Sequence, residues 1–358
     1  MIKLIAVGDI NLGNDKKAIQ DIRYNESLQD IFKKADLVFA NLEGPITNAG
    51  AEPVNGDFGL YSEFGTIKFL KNYGINLVSL ANNHMGDYGP LSVEFTIDFL
   101  NENGIRHFGW GKNINEVLYP KIITVNGIRI GLIALTFHDG RNAENYIPGM
   151  VPPEEPYYLP LLKKTRDESD FVIVSLHWGF EMYPYPQPKD KDLAHKLIDQ
   201  GADLVLGHHP HVVQGHETYN GKHIFYSLGN FVFKSYYYKG NKQKQAEESK
   251  QTMFVSIDID SSGIHSFEYL PVYYNEDLSI QLVEGEKKDK FLAYYKNISD
   301  ILVSKKYNSV FRKFRLSFEF PLKQKMTAIF RKEGLSFSLP LRLLKFLVKF
   351  FKIGLLRK

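Results

Sequence analysis

Apolar runs that each end in a polar turn, separated by stretches of helical length, predict a layered α/β protein. The runs are continuous rather than alternating, which suits strands buried on both faces, and a hairpin signal makes the sheet mixed. The chain has 358 residues, 44% hydrophobic and 24% charged, which places it among folded globular proteins and excludes a disordered or collagen-like chain. It contains no cysteine. Disulfides, thiolate zinc sites, iron–sulfur clusters and cysteine nucleophiles are therefore excluded, and any metal must be held by His, Asp, Glu or Asn.

The first strand is the run from Met1 that ends at Gly8-Asp9, too short for a signal peptide or a membrane span. Further strands are expected at residues 36–41, 76–81, 171–176, 203–206 and 224–228, with helices at 26–34, 62–73, 91–103 and 189–200. Residues 121–125 and 128–136 flank Asn126-Gly127, a pair suited to a type I′ turn, and so form the hairpin. Residues 140–160, rich in Pro and Glu, and 236–250 read as surface loops, and a last strand is expected at 252–259. After about Asn275 the alternation fades. This divides the chain into a body, residues 1–275, and an extension, residues 276–358.

Polar residues gather behind the strands: Gly8-Asp9 and Asn11, Asn41 with Glu43 and Gly44, Asn82-Asn83-His84, His177-Trp178-Gly179, and Gly207-His208-His209-Pro210-His211. If the strands are parallel, all five groups share the carboxyl edge, where open α/β sheets place ligands. Singly, Asp9 reads equally as a helix cap, Glu43 as a loop acid, Asn82-Asn83 as turn residues, and His84 or His177 as a partly buried histidine. Three imidazoles among four residues, and five such groups in one topological position, point instead to a site for two divalent cations held by oxygen and nitrogen. No P-loop is present.

The segments GDINLG (8–13), NLEGPIT (41–47), ANNHMGDYG (81–89), HWGFE (177–181), GADLVLGHHPHVVQG (201–215) and YSLGNFVF (226–233) resemble, in this order, the bacterial capsule-synthesis or poly-γ-glutamate biosynthesis (CapA-type) family. That family belongs to the calcineurin-like metallophosphoesterase superfamily. The resemblance implies an α/β/β/α sandwich over residues 1–275 and two divalent metal ions, manganese, zinc or iron. It implies Asp9, Asn11, Glu43, Asn83, His177, His209 and His211 as ligands, with Asn11 where His is commoner and Glu43 where a bridging Asp normally sits. His84 would be the catalytic imidazole facing the substrate. Beside the motifs, His208, Glu181, Trp178 and Asn230 read as residues behind the ligands or lining the substrate, Glu181 as an acceptor for His177, although Trp178 with Tyr183, Tyr185, Pro184, Pro186 and Pro188 reads first as an aromatic-proline loop packed on its own surface, and Asp87 as a helix start before Pro90.

The implied activity is hydrolysis of a phosphoester or an amide by metal-activated water, in the synthesis of a cell-surface polymer. The alternative is a non-catalytic subunit that binds polymer or organises a membrane-associated synthase. Such synthase subunits are then the expected protein partners.

Charge is strongly divided. The net charge is only +3, yet residues 305–358 hold fifteen basic and two acidic side chains, leaving a body of −10 and a tail of +13. Within LRLLKFLVKFFKI (341–353), Arg342, Lys345, Lys349 and Lys352 share an arc of about 80° at ~100° per residue, and apolar side chains fill the rest. Pro340 suits the first turn of such a helix. Thirteen residues at ~1.5 Å reach roughly 20 Å, short of a ~30 Å bilayer core, so the segment suits an anionic membrane surface. The wide apolar face argues against nucleic acid as the partner. The expected location is the cytoplasm, peripheral on the inner face of the cell membrane.

Overall fold

The computed structural model describes residues 1–47, 53–54, 58–238 and 241–317. Strands β1 (Ile2–Asn11), β2 (Leu37–Leu42), β3 (Leu77–Ser79) and β4 (Arg106–Phe108) run parallel, side by side. A second sheet is then laid down from β5 (Lys121–Val125), β6 (Ile128–Thr136), β7 (Phe171–His177), β8 (Leu204–His208), β9 (Val213–Tyr219) and β10 (Lys222–Leu228), in the order β5-β6-β7-β8-β10-β9. In it β6, β7, β8 and β10 are parallel, and β5 and β9 antiparallel.

The chain returns to the first sheet through β11 (Asn230–Phe233), parallel to the end of β1. A small hairpin, β12 (Tyr236–Tyr238) with β13 (Asn241–Gln243), follows. Then β14 (Gln251–Asp260), β15 (Gly263–Tyr274) and β16 (Ile280–Leu282) extend the first sheet antiparallel on the far side of β1. The two mixed sheets pack on each other, β1 lying against β8 and β10, as in the α/β/β/α sandwich that the resemblance implies. Strands buried on both faces read alike whether a helix or a second sheet covers them, so the apolar runs do not tell the two apart.

Helices close the outer faces. In Glu26–Phe32, capped by the Asn25 side chain accepting from Leu28 N–H at 3.0 Å, Phe32 packs 5.0 Å from Phe254 and 5.7 Å from Phe231. Glycine permits the tightest crossing of the sheets. A Cβ at Gly8 would overlap the Gly229 carbonyl, where the chain passes from one sheet to the other, while one at Gly207 would overlap the Tyr226 carbonyl of the neighbouring strand β10.

Three expectations need correction. The segment 140–160 is not loop throughout, because helix Glu155–Glu168 starts inside it, with Pro156 in the first turn, where a missing N–H is harmless. The segment 236–250 carries β12, β13 and a short helix, Glu247–Lys250. Regular structure also continues past Asn275, with β16 and helix Gly285–Val303, whose Phe291, Tyr295, Ile298 and Leu302 recur at helical spacing against β9 and β15. Residues 307–317 are helical too. That segment closes over the aromatic-proline loop: Phe314 lies 5.1 Å from Tyr183 and 6.1 Å from Tyr185, and Tyr307 Oη donates to the Pro186 carbonyl. The tail helix expected at 341–353, with Arg342, Lys345, Lys349 and Lys352, lies outside the described residues. No helix among the described residues is long and apolar enough to cross a membrane.

Candidate metal centre

The five polar groups meet at one edge of the sandwich, where β1, β2 and β3 of one sheet end opposite β7 and β8 of the other. Asp9 is fully buried. It accepts from Asn41 Nδ2 at 2.8 Å and from the His209 backbone N–H at 3.1 Å, and His208 Nδ1 lies 3.1 Å from Oδ1. Burial pushes the Asp9 carboxyl up, but His208, His211 and the His209 N–H outweigh it and hold the group below the usual carboxylate range. Asp9 is therefore an anion without help from any bound ion.

Glu43 is its opposite. It is fully buried, and neither carboxylate oxygen has a hydrogen-bond partner. Burial, then the charges of Asp9, Glu181 and Asp87, push its carboxyl well above the ordinary value. An unpartnered buried carboxylate is costly unless it is neutralised or meets a cation. One ligand atom each from Asp9, Glu43 and His177 lies within 4.8 Å of the others. This donor set fits a divalent cation, and with oxygen and imidazole but no thiolate it suits a first-row metal such as manganese, iron or zinc.

The remaining candidates fall on two sides. His211 Nε2 is 3.7 Å from Glu43 Oε1, while its Nδ1 meets Asn230 Oδ1 at 2.8 Å; Asn230 in turn donates to Tyr274 Oη at 3.2 Å. Asn230 thus orients His211 and leaves Nε2 facing the acids. On the other side, Asn83 Oδ1, His177 Nε2 and His209 Nδ1 converge, with His177 Nε2 at 2.8 Å from the amide and 3.1 Å from the second imidazole. Burial, followed by neighbouring imidazoles, pushes His177 and His209 well below the ordinary histidine value. Both rings are therefore neutral, the form that binds metal.

The backbone is bent to achieve this. His209 has φ +93° and His211 φ +59°, a left-handed geometry on either side of Pro210 that turns both rings inward. Such residues cost on the order of 1–3 kcal/mol each and persist where surroundings hold them, here through the bond from His209 N–H to Asp9.

Other expected residues take supporting places. Asn11 spends its amide on the backbone, donating to the Glu43 carbonyl at 2.6 Å and accepting from Gly13 N–H at 3.0 Å, and so fixes where Glu43 enters the site. His208 is fully buried beneath Asp9, its ring 5.6 Å from Phe39. Trp178, 1% exposed, stacks on Tyr226 and donates Nε1–H to the Tyr226 carbonyl at 2.9 Å, so burial closes it to substrate. Glu181 is exposed at the rim, near enough to raise Glu43, whereas the group facing His177 Nδ1 is Asn41, at 3.4 Å. His84 stands over the acids, Nε2 4.0 Å from Glu43 Oε1, and its Nδ1 is held by Asp87 Oδ2 at 2.7 Å.

Three residues of the site carry no role in the motif reading. Asp87, which also accepts from Leu60 N–H at 2.8 Å, reads in sequence as the start of the next helix. Asn41 links Asp9 to Asn82, whose Nδ2 reaches Asn41 Oδ1 at 3.3 Å. Asn41 does stand inside a strand-end group, so its position was the available signal. His138, whose ring lies 3.7 Å from that of His209, follows β6 in a stretch with no such group.

Residues 3–235 match the family described as bacterial capsule synthesis protein PGA_cap. The chain is similar to the PGA biosynthesis protein CapA of Bacillus subtilis (strain 168), 28% identical over 295 residues, covering 79% of this chain and 74% of that protein. It is also similar to the capsule biosynthesis protein CapA of Bacillus anthracis, 33% identical over 246 residues, covering 65% of this chain and 60% of that protein. Among solved structures it superposes on a phosphatase from Mycoplasma pneumoniae with a TM-score of 0.43 at 16% identity, over 76% of this chain and 93% of that one.

Proposed function

Because the chain belongs to the bacterial capsule synthesis protein family, we propose that it is a metal-dependent hydrolase serving the synthesis of a cell-surface polymer, with a phosphoester or a γ-glutamyl amide as its substrate class. The observation that carries this reading is Glu43, a buried carboxylate with no partner, set among Asp9, His177 and His211. Asp9, Glu43 and His211 would hold one divalent cation, and Asn83, His177 and His209, with Glu43, the other. When bound, such a pair supplies a nucleophilic water near neutral pH and neutralises charge on the attacked centre.

The chain's own groups do the rest. Asp87 accepts Nδ1–H of His84 and so fixes the ring with Nε2 toward the site. Where His84 Nε2 carries a proton, it would donate that proton to the leaving oxygen or nitrogen as water adds to phosphorus or carbon and the ester or amide bond breaks. Asn230 and Asn41 keep the ligand rings from turning.

The test is metal analysis of protein purified without chelators, followed by hydrolysis assays on a generic phosphodiester, a phosphomonoester and a γ-glutamyl anilide. Two equivalents of metal and turnover abolished in His209→Ala are expected. Metal-free protein, with His209→Ala indistinguishable from wild type, would sink the reading.

The +13 tail supports a second part of the proposal, attachment of the protein to an anionic membrane surface such as the inner leaflet, through Arg342, Lys345, Lys349 and Lys352. Flotation with anionic liposomes is expected to fail when residues 335–358 are removed. Equal flotation of both forms would contradict it.

A further inference from the structure

His138 belongs to no motif, yet it ends β6 directly beside the ligand strand. Thr136 is in register with His177, and Phe137 N–H donates to the His177 carbonyl at 2.9 Å. The His138 ring lies 3.7 Å from that of His209, tilted 32°, and 6.1 Å from that of His177, edge to face. Its Nε2 is buried and has no hydrogen-bond partner among the described residues.

We propose that His138 is a further nitrogen ligand on the Asn83–His177–His209 side of the centre, so that three imidazoles serve that cation. The inference rests on the metal-dependent reading above. Two physical arguments support it. A buried ring nitrogen with no partner costs about 1–3 kcal/mol, which stacking on another imidazole does not offset but a cation does. The His138 ring also lies beside a candidate ligand, 3.7 Å from that of His209, which is itself 4.7 Å from that of His177.

The centre is then asymmetric. One side, with Asp9, Glu43 and His211, is rich in oxygen. The other, with three imidazoles and one amide, is rich in nitrogen and favours zinc, cobalt or iron(II) over magnesium.

The experiment loads full-length protein with Co²⁺ and compares wild type, His138→Gln, His138→Ala and, as a control away from the centre, His223→Ala. Binding is titrated calorimetrically, and the hyperfine-shifted imidazole N–H protons are counted by NMR. Each ligating ring contributes one such proton, so His138 raises the wild-type count from three to four. Wild type and His223→Ala are expected to bind two equivalents and show four shifted protons. The His138 variants should lose one proton and weaken one of the two equivalents at least about tenfold, with the other unchanged.

Wild-type protein that binds two equivalents with three shifted protons, and His138 variants that match it in both affinities, would overturn the inference and leave the metal reading standing. Failure of wild type to bind Co²⁺ would overturn both. Because the wild-type count is decisive by itself, a poorly folding variant does not rescue the idea.

Discussion

Two buried glutamates, Glu43 just past β2 of the first sheet and Glu217 on β9 of the second, show how the same side chain serves different ends. Glu217, on β9, is nearly as buried as Glu43 but is surrounded: Lys191 Nζ lies 3.2 Å away, His195 Nε2 3.1 Å, and Tyr226 Oη donates at 2.8 Å. Lys191 also donates to the Leu302 carbonyl at 3.0 Å, so the cluster ties helix Pro188–Asp199 to the end of helix Gly285–Val303. Glu43 has no hydrogen-bond partner, and the imidazoles that face it stand farther off, His211 Nε2 at 3.7 Å and His84 Nε2 at 4.0 Å. A carboxylate whose neighbours already satisfy it holds the fold together, whereas one buried without partners is held ready for something that arrives later.

The largest effect should follow from changing the unsatisfied acid. Glu43→Gln is expected to lower hydrolysis by about 10²-fold or more and to abolish the rise in Tm on adding Mn²⁺, while leaving the metal-free Tm equal or higher. Melting curves with and without metal check this, and a Tm that falls in metal-free Glu43→Gln would break the contrast. Glu217→Ala should do the reverse. Breaking this buried cluster is expected to cost about 3–5 kcal/mol in urea unfolding, whether or not metal is present.

Asp190 is an intermediate case and sharpens the comparison. It is 4% exposed and has one backbone donor, Gln187 N–H at 3.2 Å, so burial dominates and pushes its carboxyl up to about 6. The native state then keeps this proton to a higher pH than the unfolded chain does. Its contribution to stability therefore falls as pH rises from about 4 to 6 and is fully lost above that. Asp190→Asn is expected to remove roughly 2–3 kcal/mol of that pH-dependent loss, read as the change in urea stability between pH 4 and pH 7 relative to wild type. An unchanged pH profile would contradict it.

The smallest effect belongs to a charge pair with no burial. Lys163→Ala, which breaks the exposed pair with Asp167 at 3.3 Å, should shift stability by no more than about 0.5 kcal/mol.

The candidate site was more legible than the outer fold. Asp9, Glu43, Asn83, His84, His177, His209 and His211 stand out because each follows a strand, and chemistry placed at strand ends leaves a local trace in the chain. Helix Gly285–Val303 was missed because it packs on β9, far earlier in the chain, whereas β9 itself is a local hairpin with β10 across Asn220-Gly221, the same residue pair as at Asn126-Gly127, and so was legible in principle. His138 escaped because the ring it lies against, His209, meets it only in the folded chain, and Asp87, three residues after His84, because its own position also fits a helix start.

The residues alone determined the parallel strands, the hairpin at Asn126-Gly127, the exclusion of sulfur ligands and the gathering of acids and histidines at one edge. Those follow from local periodicity and from residue chemistry, which are properties of neighbours in sequence. Tertiary structure decided which strands fall in which of the two sheets, that Asn11 and Trp178 are spent on backbone carbonyls, and that Glu43 is left without a hydrogen-bond partner. Hydrogen-bond satisfaction in a buried site depends on every group that surrounds it, and β1, β2, β3, β7, β8 and β11 all contribute groups that meet only when the sheets pack.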